Sequence, residues 1–256
     1  MEYFDIHSHI LPGVDDGAST TEEALEMLQI AYGEGIRKIL LTPHYTRGRN
    51  RYTKEELDSI FCDFQLEAGK RFPDMKLYLG NEVLYEDGII EDLKNGQIQT
   101  MNNTKYVLVE FNIRISYQQL YDAIRKITHA RFRPVIAHVE RYRCLLKKPE
   151  RMDELVGMEA YLQMNVSSLF GGILDENTRW CKKLVKEGYI SFLGTDAHDL
   201  EDRAPYVVDY VDWIRKKCGE ERLRELFVKN PERMVENQYP IHGFPPQTDP
   251  QQVLHL

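Results

Sequence analysis

Cysteine is scarce and poorly spaced for any covalent framework: the chain has Cys62, Cys144, Cys181 and Cys218, and no two form a C-x-x-C pair. That excludes a disulfide scaffold and a thiolate zinc site, and it suits a reducing compartment. Positive charge is also in deficit. Against 41 acidic residues stand 33 lysines and arginines, a formal net charge of −8, whereas a nucleic-acid surface needs a basic patch. No apolar run has the length to cross a bilayer, and the opening M-E-Y-F-D lacks the basic head and apolar stretch of a signal peptide. The expectation is a soluble, cytoplasmic protein with no nucleic-acid partner and no membrane insertion. An anionic substrate would need local compensation, from metal ions or a few placed arginines. At 256 residues and 42% hydrophobic content, one α/β barrel is the economical core.

What is present centres on Phe4 to Asp16, F-D-I-H-S-H-I-L-P-G-V-D-D. An apolar strand start carries two histidines one residue apart into a Pro-Gly turn with two aspartates. Strand alternation turns His7 and His9 to one side and Ile6 and Ile10 to the other. An isolated H-x-H serves equally well as two hydrogen-bonded core residues, so the remaining chain has to decide.

The chain then alternates strands and helices. Capping residues Ser19 and Thr20 open a helix to Gly33, and a second box, Thr53 to Glu56, opens one to about Phe72. Further helical spacing covers Ile89 to Lys94, Tyr117 to Ala130, Pro149 to Val156, Glu176 to Lys186 after Asp175, Pro205 to Cys218, and Glu220 to Glu236. Between them, apolar runs Ile36–Leu41, Met75–Leu79, Tyr106–Val109, Pro134–Ala137, Tyr161–Met164 and Ile190–Leu193 read as strands. With the first, that makes about seven strands, and alternation of this kind predicts a parallel, closed or nearly closed α/β barrel over 1–239. The stretch 240–256, rich in proline and glutamine, reads as an arm or disordered tail.

Each strand delivers a polar residue at its end. In order these are His7, His9, Asp16, His44, Glu82, Glu110, His138, Asn165, Asp196 and His198, whereas His129, His242 and His255 fall elsewhere. Unpaired imidazoles and carboxylates on the rim of an apolar core would be expensive, and metal binding removes that objection. A donor set without thiolate suits manganese, iron or zinc in exchangeable positions, and nine ionisable donors exceed one ion's needs, so two or three ions are expected.

The series D-I-H-S-H, D-D-G, T-P-H, G-N-E, V-E-F, I-A-H-V-E-R and T-D-A-H resembles the polymerase-and-histidinol-phosphatase (PHP) superfamily. Within it, H-I-L-P-G-V-D-D-G followed by I-A-H-V-E-R-Y is similar to the manganese-dependent tyrosine-protein phosphatases of bacterial capsule and exopolysaccharide loci. The resemblance implies a distorted (β/α)7, TIM-like barrel with its metal site at the C-terminal ends of the strands. It implies that His7, His9, Asp16, His44, Glu82, Glu110, His138, Asp196 and His198 ligate a Mn2+ cluster. It implies that Arg141, in H-V-E-R, and Arg203, in D-L-E-D-R, contact phosphate. The implied substrate is phosphotyrosine on a protein, the tyrosine-rich tail of a bacterial tyrosine kinase, and a homo-oligomer is compatible with it. The alternatives are a small-molecule phosphatase, such as one acting on histidinol phosphate, and an inactive metal-bound scaffold that docks the kinase.

Two further stretches bear on phosphate. Cys218 to Arg224 fits C-x5-R, the spacing of cysteine-dependent tyrosine phosphatases, but Glu220 and Glu221 would repel the anion, so the match reads as chance. The loop Tyr45 to Tyr52 carries Arg47, Arg49 and Arg51, either greeting an acidic peptide or solvated.

Overall fold

The computed structural model describes residues 1–171 and 175–241. Nine parallel strands occur among them: β1 (Tyr3–Ser8), β2 (Ile36–Leu41), β3 (His44–Tyr45), β4 (Lys76–Leu79), β5 (Glu82–Leu84), β6 (Tyr106–Glu110), β7 (Arg133–Ile136), β8 (Tyr161–Asn165) and β9 (Phe192–Gly194). They form two sheets, β1-β2-β4 and β3-β5-β6-β7-β8-β9. The expected seven strands are nevertheless there, because β2 and β3 are one interrupted strand and β4 and β5 another. Pro43 cannot donate to the ladder, and at the matching break Gly80 lies so close to the 3₁₀ turn Met101–Asn103 that a Cβ would sit 3.3 Å from the Cα of Met101. Pairing resumes beyond, with His44 opposite Glu82. The seam closes where the amide of Asp196 donates to the carbonyl of His7 (2.8 Å) and that of His9 to the carbonyl of Ala197 (2.8 Å).

Helices cover the outside: α1 (Thr21–Gly33), α2 (Lys54–Arg71), α3 (Ile89–Lys94), α4 (Tyr117–His129), α5 (Pro149–Gly157), α6 (Glu176–Lys186), α7 (Val208–Cys218), α8 (Glu220–Arg224) and α9 (Asn230–Val235). Their starts follow local chemistry. Thr53 with Glu56 and Ser116 with Gln119 form complete capping boxes, and Asp175 accepts from the amides of Asn177 and Thr178. The single last helix expected over Glu220 to Glu236 is instead interrupted by a π turn at Glu225–Lys229. Pro231 explains it: lacking an N–H, it cannot continue the i to i−4 ladder, and the wider turn absorbs the misfit.

The barrel interior holds Phe4, Ile6, Leu40, Tyr106, Leu108, Val135, Tyr161 and Phe192. The rings of Tyr106 and Tyr161 meet at 5.4 Å, tilted by 59°, although their strands are separated by β7, as the inward curvature of a barrel favours. Strict alternation in β1 fails here. Between Asp5, opposite Ile39, and Ser8, opposite Leu41, β1 takes three steps to two in β2, a bulge. The extra residue lets Ile6 pack inside while its neighbour His7 still reaches the mouth. The tail expected over 240–256 lies, beyond Ile241, outside the described residues.

Candidate metal centre

The nine strand-end residues named from sequence all arrive at one mouth. Glu82, at the start of β5, is the hub: its Oε1 lies 3.3 Å from His7 Nε2 and 2.9 Å from His138 Nε2, and its Oε2 lies 3.3 Å from His9 Nε2 and 3.2 Å from His44 Nδ1. Asp196 Oδ1 is 3.4 Å from the Nε2 atoms of both His7 and His9. Asp16 Oδ1 is 3.4 Å from both His44 Nε2 and His198 Nε2. Glu110 reaches His44 and His138 at 3.6 Å. Three donor groups result: His9, Asp16, His44 and His198; His7, His9, Glu82 and Asp196; and His44, Glu82 and Glu110.

The donor geometry fits cations. Two ligands held ~2.1 Å from one ion, at angles between octahedral and tetrahedral, lie about 3.0–3.4 Å apart, and most separations here fall in or near that range. Ring nitrogens also face one another, His7 Nε2 and His9 Nε2 at 3.3 Å, a contact that shares one proton poorly and one cation well. Carboxylates and imidazoles without thiolate suit hard or borderline divalent ions.

Strained backbone aims two of these side chains. His138 has φ 33° and Asp196 φ 55°, left-handed values that non-glycine residues adopt at a cost of about 1–3 kcal/mol where the surroundings hold them. Both sit just past a strand end, where the turned backbone brings the side chain back over the mouth.

The protonation pattern of the ion-free chain follows from this crowding. Burial pushes the His9 imidazole towards neutrality, but hydrogen bonds to Asp15, Asp196 and Glu82 win and hold its pKa well above the usual histidine range. For His138 burial is likewise outweighed, by Glu110 and Glu82, and its pKa rises to about 9. His198 goes the other way, to about 4, through burial and the neighbouring His9 cation. Burial favours the neutral form of Glu82 and Asp196, yet the imidazoles around them keep both well below the ordinary carboxylate range. Protons on histidines thus occupy positions that cations would take.

Arg141 and Arg203 both end on Asp196: each Nη2 meets its Oδ2, at 2.8 and 2.9 Å. Their side chains are 43% and 41% exposed, so both guanidinium groups stay accessible to solvent beside the donor cluster. The basic loop is less free than its sequence suggests. Arg47 pairs with Asp92 at 3.0 Å and Arg49 with Glu86 at 2.6 Å. Cys218 and Arg224 lie at the end of α7 and in α8, with no phosphate-binding loop between them, and burial raises the Cys218 thiol's pKa, away from a nucleophilic thiolate.

Sequence reading missed Asp15. Its side chain is 5% exposed, takes a 2.7 Å hydrogen bond from His9 Nδ1 and accepts from the amides of Gly17 and His44, whereas Asp16 is 64% exposed and reaches the donors. A carboxylate on the far nitrogen orients a ligating imidazole. Asp5 was missed as well; it accepts from the amides of His7 (3.3 Å) and Thr195 (2.9 Å), tying β1 to β9. No spacing rule separates Asp15 from Asp16, but an acidic residue inside the buried β1 was a readable signal for Asp5.

An α/β barrel whose strand ends gather imidazoles and carboxylates into cation-sized groups defines a metal-dependent barrel enzyme. Comparison with known proteins narrows that class. The family described as "Capsular polysaccharide synthesis, CpsB/CapC" matches residues 3–236, and the chain belongs to it. It is 34% identical over 240 residues to the tyrosine-protein phosphatase CpsB of Streptococcus agalactiae, covering 92% of this chain and 99% of that protein. A solved chain from the crystal structures of YwqE of Bacillus subtilis and CpsB of Streptococcus pneumoniae, metal-dependent tyrosine phosphatases, matches with a TM-score of 0.83 at 29% identity, over 96% of this chain and 98% of that one. The phosphotriesterase homology protein of Escherichia coli, at a TM-score of 0.61 and 10% identity, shares the fold alone. No helix among the described residues is long and apolar enough to cross a membrane.

Proposed function

We propose that this metal-dependent tyrosine-protein phosphatase acts in the cytoplasm on phosphotyrosine in the tyrosine-rich tail of a bacterial tyrosine kinase governing polysaccharide export. The observation that carries the reading is the convergence of His7, His9, Asp16, His44, Glu82, Glu110, His138, Asp196 and His198 on one mouth, in a chain of the CpsB/CapC family. Those nine would hold two or three ions, manganese by preference with iron or zinc as substitutes. Ions bound there would supply Lewis-acid charge for the phosphoryl oxygens and would make water acidic enough to attack.

The protein's own contribution is orientation and charge. Arg141 and Arg203, anchored through Asp196 and partly exposed, would offer their remaining N–H groups to a phosphoryl group, which a guanidinium fork matches. Asp15 holds the His9 ring and Glu82 keeps four imidazoles facing inwards. No protein nucleophile is required. A phenol leaving group, with a pKa of about 10, needs less protonation than an alkoxide, which favours an aryl phosphate.

The test is to strip the protein with chelator, restore it with manganese, iron, zinc or magnesium in turn, and compare a phosphotyrosine peptide from such a tail with histidinol phosphate. Manganese-restored turnover that prefers the peptide supports the reading. Preference for histidinol phosphate would make the chain a small-molecule phosphatase, and loading without turnover would make it a scaffold.

A further inference from the structure

Two buried amides on β8, Gln163 and Asn165, take no part in the chemistry described so far, yet they join three of its residues. Gln163 Oε1 accepts the backbone N–H of His138 at 2.6 Å and lies 3.2 Å from His7 Nδ1. Gln163 Nε2 donates to Asn165 Oδ1 at 3.0 Å, and Asn165 Nδ2 donates to Asp196 Oδ2 at 2.8 Å. The direction of this chain is not a free choice. At one end stands a backbone N–H, which only donates, and at the other a carboxylate, which only accepts, so both amides must lie head to tail between them. Because Gln163 offers an oxygen to His7, the His7 Nδ1 must carry the proton. In the neutral ring that a ligand must be, Nε2 then carries the lone pair, pointed at the volume shared with Glu82, His9 and Asp196.

We infer that the Gln163–Asn165 pair is a positioning relay that fixes the tautomer of His7 and the rotation of the Asp196 carboxylate, preparing both for a cation before it arrives. Packing leaves the relay no slack: a Cβ at Gly194 would lie 2.7 Å from His7 Cβ and 3.2 Å from Gln163 Nε2, so β9 can approach only as glycine. Asn165 is held in turn from behind, since its backbone N–H donates to Glu140 Oε1 at 3.2 Å. Asp196 is divided by the arrangement, with Oδ2 given to N–H donors and Oδ1 left towards the imidazoles.

The inference rests on His7 and Asp196 being cation ligands, and its test separates the two claims. Two-bond ¹H–¹⁵N correlation spectra of the zinc-loaded, ¹⁵N-histidine-labelled protein read the His7 tautomer without any mutation; the Nδ1–H form is expected, and the Nε2–H form would overturn the relay. Gln163→Met keeps the side-chain shape and removes the acceptor. With the fold intact by circular dichroism, its Mn2+ affinity by titration calorimetry should fall about 10–100-fold, the range for loss of a group that orients a ligand. Gln163→Glu restores the acceptor and should return His7 to the Nδ1–H form. Unchanged affinity in Gln163→Met, or a His7 tautomer in Gln163→Glu that differs from wild type, would overturn the relay alone, whereas wild-type protein that takes up no metal would overturn the ligand assignment beneath it.

Discussion

Replacing Glu82 by glutamine keeps the volume of the side chain and removes the one charge that four imidazoles share, at 2.9 to 3.3 Å. Glu82 contributes to two of the three donor groups, so its loss weakens more than one cation position. The size of the effect can be worked through linkage. With free ion at about 100 times its Kd, binding stabilises the folded state by about 2.7 kcal/mol. In a chain of this length each kcal/mol moves Tm by roughly 2–4 °C, so loaded wild type should melt about 5–11 °C above the chelated protein. Losing a group that merely orients a ligand weakens affinity by 10–100-fold, so losing the carboxylate itself should reach at least about 100-fold. The same ion concentration then equals the Kd, leaving about 0.4 kcal/mol and a shift of about 1–2 °C. Paired thermal melts in chelator and in manganese read this directly, and because only the difference within each protein counts, any change in ion-free stability cancels. A Glu82→Gln protein whose loaded-minus-chelated shift matched wild type would refute the placing of cations around this residue.

Three other outcomes are expected. Arg141→Lys and Arg203→Lys should keep the fold and metal content but lose most turnover, because an ammonium replaces a planar fork; unchanged kcat/KM would return both arginines to a purely structural pairing with Asp196. Metal uptake should release protons near pH 7.5, from His138, whose pKa of about 9 in the ion-free protein lies above that pH, and from His9, held well above the ordinary histidine range, because both must be neutral to ligate. Affinity therefore rises with pH up to about 9, and calorimetry in buffers of different ionisation enthalpy that found no proton release would contradict it. Cys218→Ser should leave activity intact while chelator abolishes it, and the reverse pattern would revive a thiol mechanism.

Much of the mouth is legible in the sequence because parallel strands end on one face, so a polar residue after each apolar run is a positional signal. His7, Glu110 and Asp196 follow that rule directly. His44 and Glu82 follow it less simply, since they lie beyond breaks at Pro43 and Gly80 that split each strand in two; the proline marks the first in the sequence, but only the packing against Met101 shows the second. Alternation rightly put His7 and His9 on one side, but it paired Ile6 with Ile10, which pack in different clusters, because a bulge obeys pairing with β2, which one strand's pattern does not contain. The arginines of the 45–52 loop read as available charge, yet Asp92 and Glu86, some forty positions away, already hold two of them. Gln163 and Asn165 did leave a trace, as polar residues two apart in an otherwise apolar strand, but their roles depend on which partners close over them.

The seam between β1 and β9 joins the first and last strands of the barrel, and the donors sit directly on it: His7 and His9 on one side, Asp196 and His198 on the other. Two of the three donor groups in a nascent chain therefore stay incomplete until its final strand docks, some 190 residues after the first histidines emerge. Cation uptake at those two groups would act as a late clasp on an almost finished barrel, so a fragment ending after β8 should stay open and hold fewer ions than the full chain, and adding the missing piece in trans should succeed best when manganese is present to fasten the two together.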